Sequence, residues 1–127
     1  MTSDIFRFRE FPVYIAAREF RRELKDLTKK KFPKVEDYIL RQQLWRALDS
    51  IILNIAEGAD KHSDKDFSHY LNNALGSVNE VIGCLDCAFD DLYISKDEHK
   101  IYLEKADNVV RQLRAFIAKV RKDNYRF

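Results

Sequence analysis

The chain has 127 residues, 46% of them apolar and 35% charged, with a formal net charge of +2. That length is one domain, expected to span residues 1–127, with room for an ordinary core. Two Cys are too few for a disulfide framework and fit a reducing, cytoplasmic setting; Met1 to Glu10 lacks the apolar core of a signal peptide, and no apolar run approaches a membrane span.

Only three Gly and two Pro occur, so few breakpoints exist and long helices are expected. The first helix is predicted from Pro12 to about Lys31. Pro12 suits the first helical position, where its missing N–H costs nothing. The seam is Val13, Ala17, Phe20, Leu24 and Leu27. Phe32-Pro33 ends the helix, because the residue before Pro is pushed out of the α region. Lys29, Lys30 and Lys31 in the last turn complement the helix dipole.

The second helix is predicted to start near Glu36, with Glu36 and Asp37 in its first turn. Its seam is Leu44, Leu48, Ile51 and Ile55. A second apolar stripe, Tyr38, Trp45, Ile52 and Ala59, runs beside it. Gly58 or the stretch Asp60-Lys61-His62 loosens the end.

The third helix has Ser63 as its expected N-cap and Asp64 and Asp66 in its first turn. Its seam, Phe67, Leu71, Ala74, Val78, Val81, Leu85, Ala88 and Leu92, alternates steps of four and three without a break. Such a seam keeps one stripe against a partner helix in left-handed packing. Ser95 with Glu98 reads as a capping box opening the fourth helix. The fourth seam is Leu103, Ala106, Val110, Leu113, Ile117 and Val120, with a second stripe of Tyr102, Val109 and Phe116. All connections are short, so neighbours are antiparallel. The expected fold is all-α: an up-down-up-down, left-handed four-helix bundle. The second stripes of helices two and four either widen the core or serve subunit contacts.

Little in the chain names a reaction. A di-iron bundle needs Glu-x-x-His pairs; the sequence offers only Asp66-x-x-His69, so no metal and no cofactor are expected. Cys84-x-x-Cys87 lies deep in helix three, away from a helix N-terminus, and reads as small core residues. Asp86, Asp90 and Asp91 read as a solvated face. Polar stripes beside the seams are more unusual: Arg46, Ser50, Asn54, Glu57 and Lys61 on helix two, and Asn73, Ser77, Glu80 and Cys84 on helix three. Arg46, Ser50, Asn54, Glu57, Ser77 and Glu80 are expected to form a register-fixing polar network, the alternative being a small-ligand or enzyme site. Gly76 in mid-helix reads as a point of close backbone approach.

Charge is unevenly spread. Residues 1–34 carry net +5, 35–62 net −2, 63–98 net −6 and 99–127 net +5. On helix one, Arg18, Arg22, Lys25 and Lys29 form a basic stripe with Arg21 beside it. On helix four, Arg111, Arg114 and Arg121 form a second, with Lys119 and Lys122 nearby. Such stripes contact phosphates without reading sequence; the plainer reading is a solvated face in which Glu19, Glu23 and Asp26 weaken the field.

The run Gln43-Leu44-Trp45-Arg46-Ala47, Ser50-Ile51 and Asn54-Ile55-Ala56-Glu57-Gly58 resembles the signature of the four-helix-bundle family of 23S rRNA intervening-sequence proteins. Phe67, Leu71, Ala74, Gly76-Ser77 and Glu80 resemble its second block. Phe32-Pro33 followed by Glu36-x-Tyr38-x-Leu40 resembles its lead-in to helix two. The similarity spans Phe8 to Val120; Trp45, Asp49 and Lys61 depart from the pattern. The resemblance implies a bundle that assembles into a five-membered ring and is encoded in rRNA-gene insertions or elsewhere in bacterial genomes. It also implies kinship of fold with the accessory variability determinant of diversity-generating retroelements, which binds nucleic acid and a reverse transcriptase. No reaction is established for the family. The expected function is therefore a non-enzymatic homo-oligomer, a pentamer by resemblance, that binds RNA, DNA or a nucleic-acid enzyme through its basic faces. A protein-interaction scaffold is the alternative. No membrane partner is expected.

Overall fold

The structure, a computed structural model, describes residues 4–122, without the side chains of Asp4 and Lys122. The expected domain 1–127 therefore reaches beyond the described residues, and the side chain of Lys122 lies outside them. A short 3-10 helix, Asp4–Glu10, broken at Phe6, leads into α1 (Pro12–Lys31). A 3-10 turn, Lys34–Glu36, precedes α2 (Leu40–Ala59), which is followed by α3 (Asp64–Asp90) and α4 (Lys96–Lys122). The four helices form an antiparallel bundle. α2 and α3 share the most extensive contact, and α1 closes the bundle against α2 and α4.

The caps explain the boundaries. Ser63 Oγ accepts the Asp66 N–H at 3.1 Å. Ser95 and Glu98 cap each other reciprocally, Ser95 N–H to Glu98 Oε1 at 2.8 Å and Glu98 N–H to Ser95 Oγ at 3.0 Å. Helix two, by contrast, starts at Leu40 and not at Glu36. Ile39 (φ −122°, ψ −96°) breaks the helical path after the 3-10 turn. Glu36 acts from outside the helix: its Oε1 accepts the Leu40 N–H at 3.2 Å, and its Oε2 accepts the Tyr93 hydroxyl at 2.6 Å. That bond to a carboxylate holds the Tyr93 hydroxyl proton on, pushing its pKa up to about 12. It also ties the α1–α2 connection to the α3–α4 connection.

Helix three ends at Asp90, so the last seam position fails. Leu92 is 85% exposed, with φ of 66°. Its N–H donates to Phe89 O at 3.0 Å, and the Tyr93 N–H donates to Ala88 O at 2.9 Å. This paired closure needs a left-handed residue where the chain leaves the helix, a place where Gly is usual.

The seams of α1, α2 and α3 up to Ala88 are buried as the spacing predicts. The fourth seam needs correction: Val109 is buried, while Leu103 and Val110 are only half-buried. A straight helix drifts relative to a strict seven-residue repeat, and here it turns Val109 inward. The second stripes are largely absorbed by this chain's own packing. Phe116 stacks edge-on against Phe11 and Phe67, with centroids 5.1 and 5.3 Å apart. Trp45 and Ile52 pack against the core, but Tyr38 points to solvent at 86% exposure. The large exposed aliphatics of the outer helix faces are instead Ile15, Leu53 and Ile101.

The glycines also differ from expectation. A Cβ at Gly76 would meet nothing within 4 Å, so no close approach explains it. The close approach is at Gly58, where a Cβ would lie 2.6 Å from Tyr70 Cβ. There the last turn of α2 rests on the first turns of α3.

Candidate nucleic-acid interface

The basic stripe of α1 faces the flank of α2, and the two are joined by a small polar seam. Thr28 is fully buried; its hydroxyl donates to Lys25 O at 2.9 Å and accepts from Trp45 Nε1 at 2.8 Å. That fixes the indole across the inter-helix gap. Lys25, Lys29 and Arg41 then surround the ring, with 4.8, 5.6 and 5.4 Å to its centroid. Each position gains from the negative face of the indole.

Four residues along α2 from Trp45, Asp49 Oδ1 accepts from Arg21 Nε at 2.7 Å and from Lys25 Nζ at 3.0 Å. Burial pushes the Asp49 carboxyl up, but these two hydrogen bonds and the charges behind them outweigh it and hold it below the usual carboxylate range. Arg41 pairs with Asp37. Arg18 lies over Tyr14, 5.9 Å from its centroid. Arg22 is 74% exposed, and its carboxylate neighbour Glu19 stands 4.0 Å away.

The predicted α1 stripe is thus real as a row but mixed in character. Arg21 and Lys25 are spent on α2, while Arg18, Arg22 and Lys29 face solvent. On α4, Arg111 pairs with Asp107 at 2.9 Å, and Arg114, Lys119 and Arg121 are exposed. The two stripes do not merge. Between them runs the α1–α4 groove, which carries Glu19, Glu23 and Glu104, with Lys105 bound to Glu23.

The polar network of α2 and α3 is smaller than expected. Asn54 Nδ2 donates to Ser50 O at 2.8 Å and to Ser50 Oγ at 3.0 Å. Ser77 Oγ donates to Ser50 Oγ at 2.8 Å and also lies 3.2 Å from Asn73 O in its own helix. Ser50 Oγ therefore accepts from both Asn54 and Ser77, the second bond crossing from α3 to α2. A bond from α3 onto a hydroxyl of α2 fixes the register of the two helices at this level. Arg46, Glu57 and Glu80 stand exposed outside this network, and Glu57 faces Lys61 at 3.9 Å.

Cys84 is buried and Cys87 is exposed, so only the first is a core residue. Burial and the nearby Glu80 push the Cys84 thiol up to about 11, which leaves it protonated and unreactive at neutral pH. Among the described residues there is no group of three or more side chains placed to hold a metal ion, and no helix long and apolar enough to cross a membrane.

Sequence reading passed over the partnership of Trp45 and Asp49. The signal was present: the two lie four apart on one flank of α2, where they share a helix face. What was missing was the neighbour, because spacing within α2 does not say that the cationic side of α1 lies opposite.

The comparisons agree with this architecture. No curated protein matches the chain. A crystal structure of a protein of unknown function from the S23 ribosomal protein family of Bacteroides thetaiotaomicron is 25% identical, with a TM-score of 0.75. The match covers 83% of this chain and 97% of that one. The family model described as 23S rRNA-intervening sequence protein matches residues 9–115. The chain belongs to the 23S rRNA-intervening sequence protein family.

Proposed function

We propose that this bundle is a non-enzymatic, self-associating protein that binds the phosphate backbone of RNA or DNA through the cations of α1 and α4. One observation carries the reading: Arg18, Arg22 and Lys29 on α1, and Arg114 and Arg121 on α4, are exposed cations set in rows on outer helix faces. Where such cations have carboxylate neighbours, the pairs are solvent-exposed and worth under about 1 kcal/mol. A polyanion can replace them at little cost.

Self-association rests on the exposed aliphatics Ile15, Leu53 and Ile101, which lie on outer faces of α1, α2 and α4. A ring of five copies, implied by the family resemblance, would repeat each basic row and raise avidity. The small net charge of one copy makes that multiplication necessary. A scaffold that binds only protein is the second reading, and the same exposed aliphatics favour it.

The test is fluorescence anisotropy of a labelled 20-nucleotide RNA and of the corresponding DNA duplex, with oligomeric state fixed by sedimentation. Binding should depend weakly on sequence and fall steeply with salt, log K being linear in log[salt]. Charge reversal at Arg22 and Arg114 together should abolish it with the helical content intact. Binding indifferent to salt, or none at low salt by the intact assembly, would leave the scaffold reading in its place.

A further inference from the structure

The α1–α2 flank holds a cleft of about 630 Å³ whose wall is Trp45. Four cations line it: Arg21, Arg22, Lys25 and Lys29. Two carboxylates line it too, but both are engaged by cations from outside, Glu23 by Lys105 and Asp26 by Lys30 at 3.0 Å. Beside the cleft, on the far side of Trp45, Asp49 engages two of these cations: its Oδ1 receives both Arg21 and Lys25. A carboxylate oxygen held between a guanidinium and an ammonium has the surroundings of a phosphate oxygen. The remaining two cations are not bound as firmly: Lys29 rests on the indole, and Arg22 stands 4.0 Å from Glu19.

We propose that this cleft is a backbone-phosphate subsite of the nucleic-acid surface, and that Asp49 is its built-in counterion, displaced when a phosphate enters. The proposal rests on the polyanion-binding reading above and assigns that reading one location. Arg22 and Lys29 would meet the phosphate first, being the cations left with spare donors. Arg21 and Lys25 would then exchange Asp49 for it. The indole wall keeps water from one side and strengthens each charge contact. Asp49 is half-exposed, so its pairs are of the weak, exchangeable kind. Asp49 thereby sets how strongly the cleft binds: it lowers affinity while holding α1 in place when no polyanion is present.

Trp45 is the only Trp of the chain, so indole emission reports on the surroundings of this one side chain. Lys29→Glu alters this cleft and not the pocket on the other side of the ring, and so ties the signal to the cleft. The experiment titrates the intact protein, Asp49→Asn and Lys29→Glu with a 20-nucleotide single-stranded RNA at low salt. Emission and anisotropy of a labelled RNA are followed together, and a thermal melt verifies that each variant is folded at the working temperature. Trp45 emission should change saturably with the same midpoint as the anisotropy. Asp49→Asn should bind RNA about fivefold tighter, the equivalent of freeing a surface ion pair. Lys29→Glu, which leaves the Asp49 contacts intact, should bind about tenfold weaker. If RNA binds with a steep salt dependence while Trp45 emission stays constant, the cleft is not the site and binding belongs to α4. Unchanged or weaker binding by Asp49→Asn, or unchanged binding by Lys29→Glu, likewise overturns the assignment and leaves the broader function standing. No RNA binding by any of the three removes both.

Discussion

Gly58 and Gly76 should respond in opposite directions to the same substitution. Gly76 lies in the middle of α3 on an exposed face, and an added Cβ would touch nothing within 4 Å. Gly76→Ala should therefore gain the full helix-propensity difference, about 1 kcal/mol. Gly58 sits in the last full turn of α2, where helix propensity matters less. Its new Cβ would stand 2.6 Å from Tyr70 Cβ and 3.1 Å from Phe67 Cδ1. Tyr70 Cβ is fixed to the backbone of α3 and cannot rotate away. Relief requires α2 and α3 to separate at the bundle end that Phe67 anchors, and overpacking of this kind costs about 1–3 kcal/mol. The two variants should thus differ by about 2–4 kcal/mol. For a domain of this size, 1 kcal/mol moves the melting temperature by about 4 °C. Thermal unfolding followed by circular dichroism, at one protein concentration, resolves this easily. A Gly58→Ala variant as stable as the parent would refute the packing argument. A Gly76→Ala variant less stable than the parent would show that another backbone, such as that of a second copy, rests on the outer face of α3.

Three further outcomes follow from the same geometry. Leu92 pays for a left-handed conformation without burying its side chain, so Leu92→Gly should raise stability by about 1 kcal/mol, and an unchanged or lower denaturant midpoint would contradict the strain. Asn54→Ala should cost about 1 kcal/mol by removing one of the two donors to Ser50. Glu57→Ala, at an exposed site, should stay within about 0.5 kcal/mol; equal losses in urea unfolding would place Glu57 inside the network after all. The Asp49 carboxyl is held below its ordinary value in the folded chain. Its contribution is therefore complete above the unfolded value of about 4 and is lost as pH falls through the lower folded value. The small stability gap between the parent and Asp49→Asn should be present at neutral pH and close on acidification below about pH 4. A gap that widens in acid would mean that Asp49 is destabilising when ionised.

The helices, their order and most of their buried faces are set by the sequence itself. Heptad steps from Phe67 to Ala88 can bury one stripe only as a helix against helices, and Ser63 and the Ser95–Glu98 pair stop and start the chain by bonds within three residues. Such local signals need no knowledge of the rest of the molecule. What spacing alone misjudged depended on partners distant in the chain. Glu36 reads as a first-turn residue until Tyr93, 57 residues away, is seen to hold it outside α2. Leu92 continues the heptad count but falls after the turn that ends α3. Val109 and Val110 are equivalent by hydropathy, and only the rotation of α4 against its neighbours chose the first. Gly58 and Gly76 are alike as letters; the proximity of Tyr70 separates them. The basic row of α1 was legible as a row, yet its division into cations bound to Asp49 and cations facing solvent arose only when α1 docked on α2. Electrostatic partners are fixed by which faces meet, and a helix's own sequence specifies its faces without naming what will lie across from them.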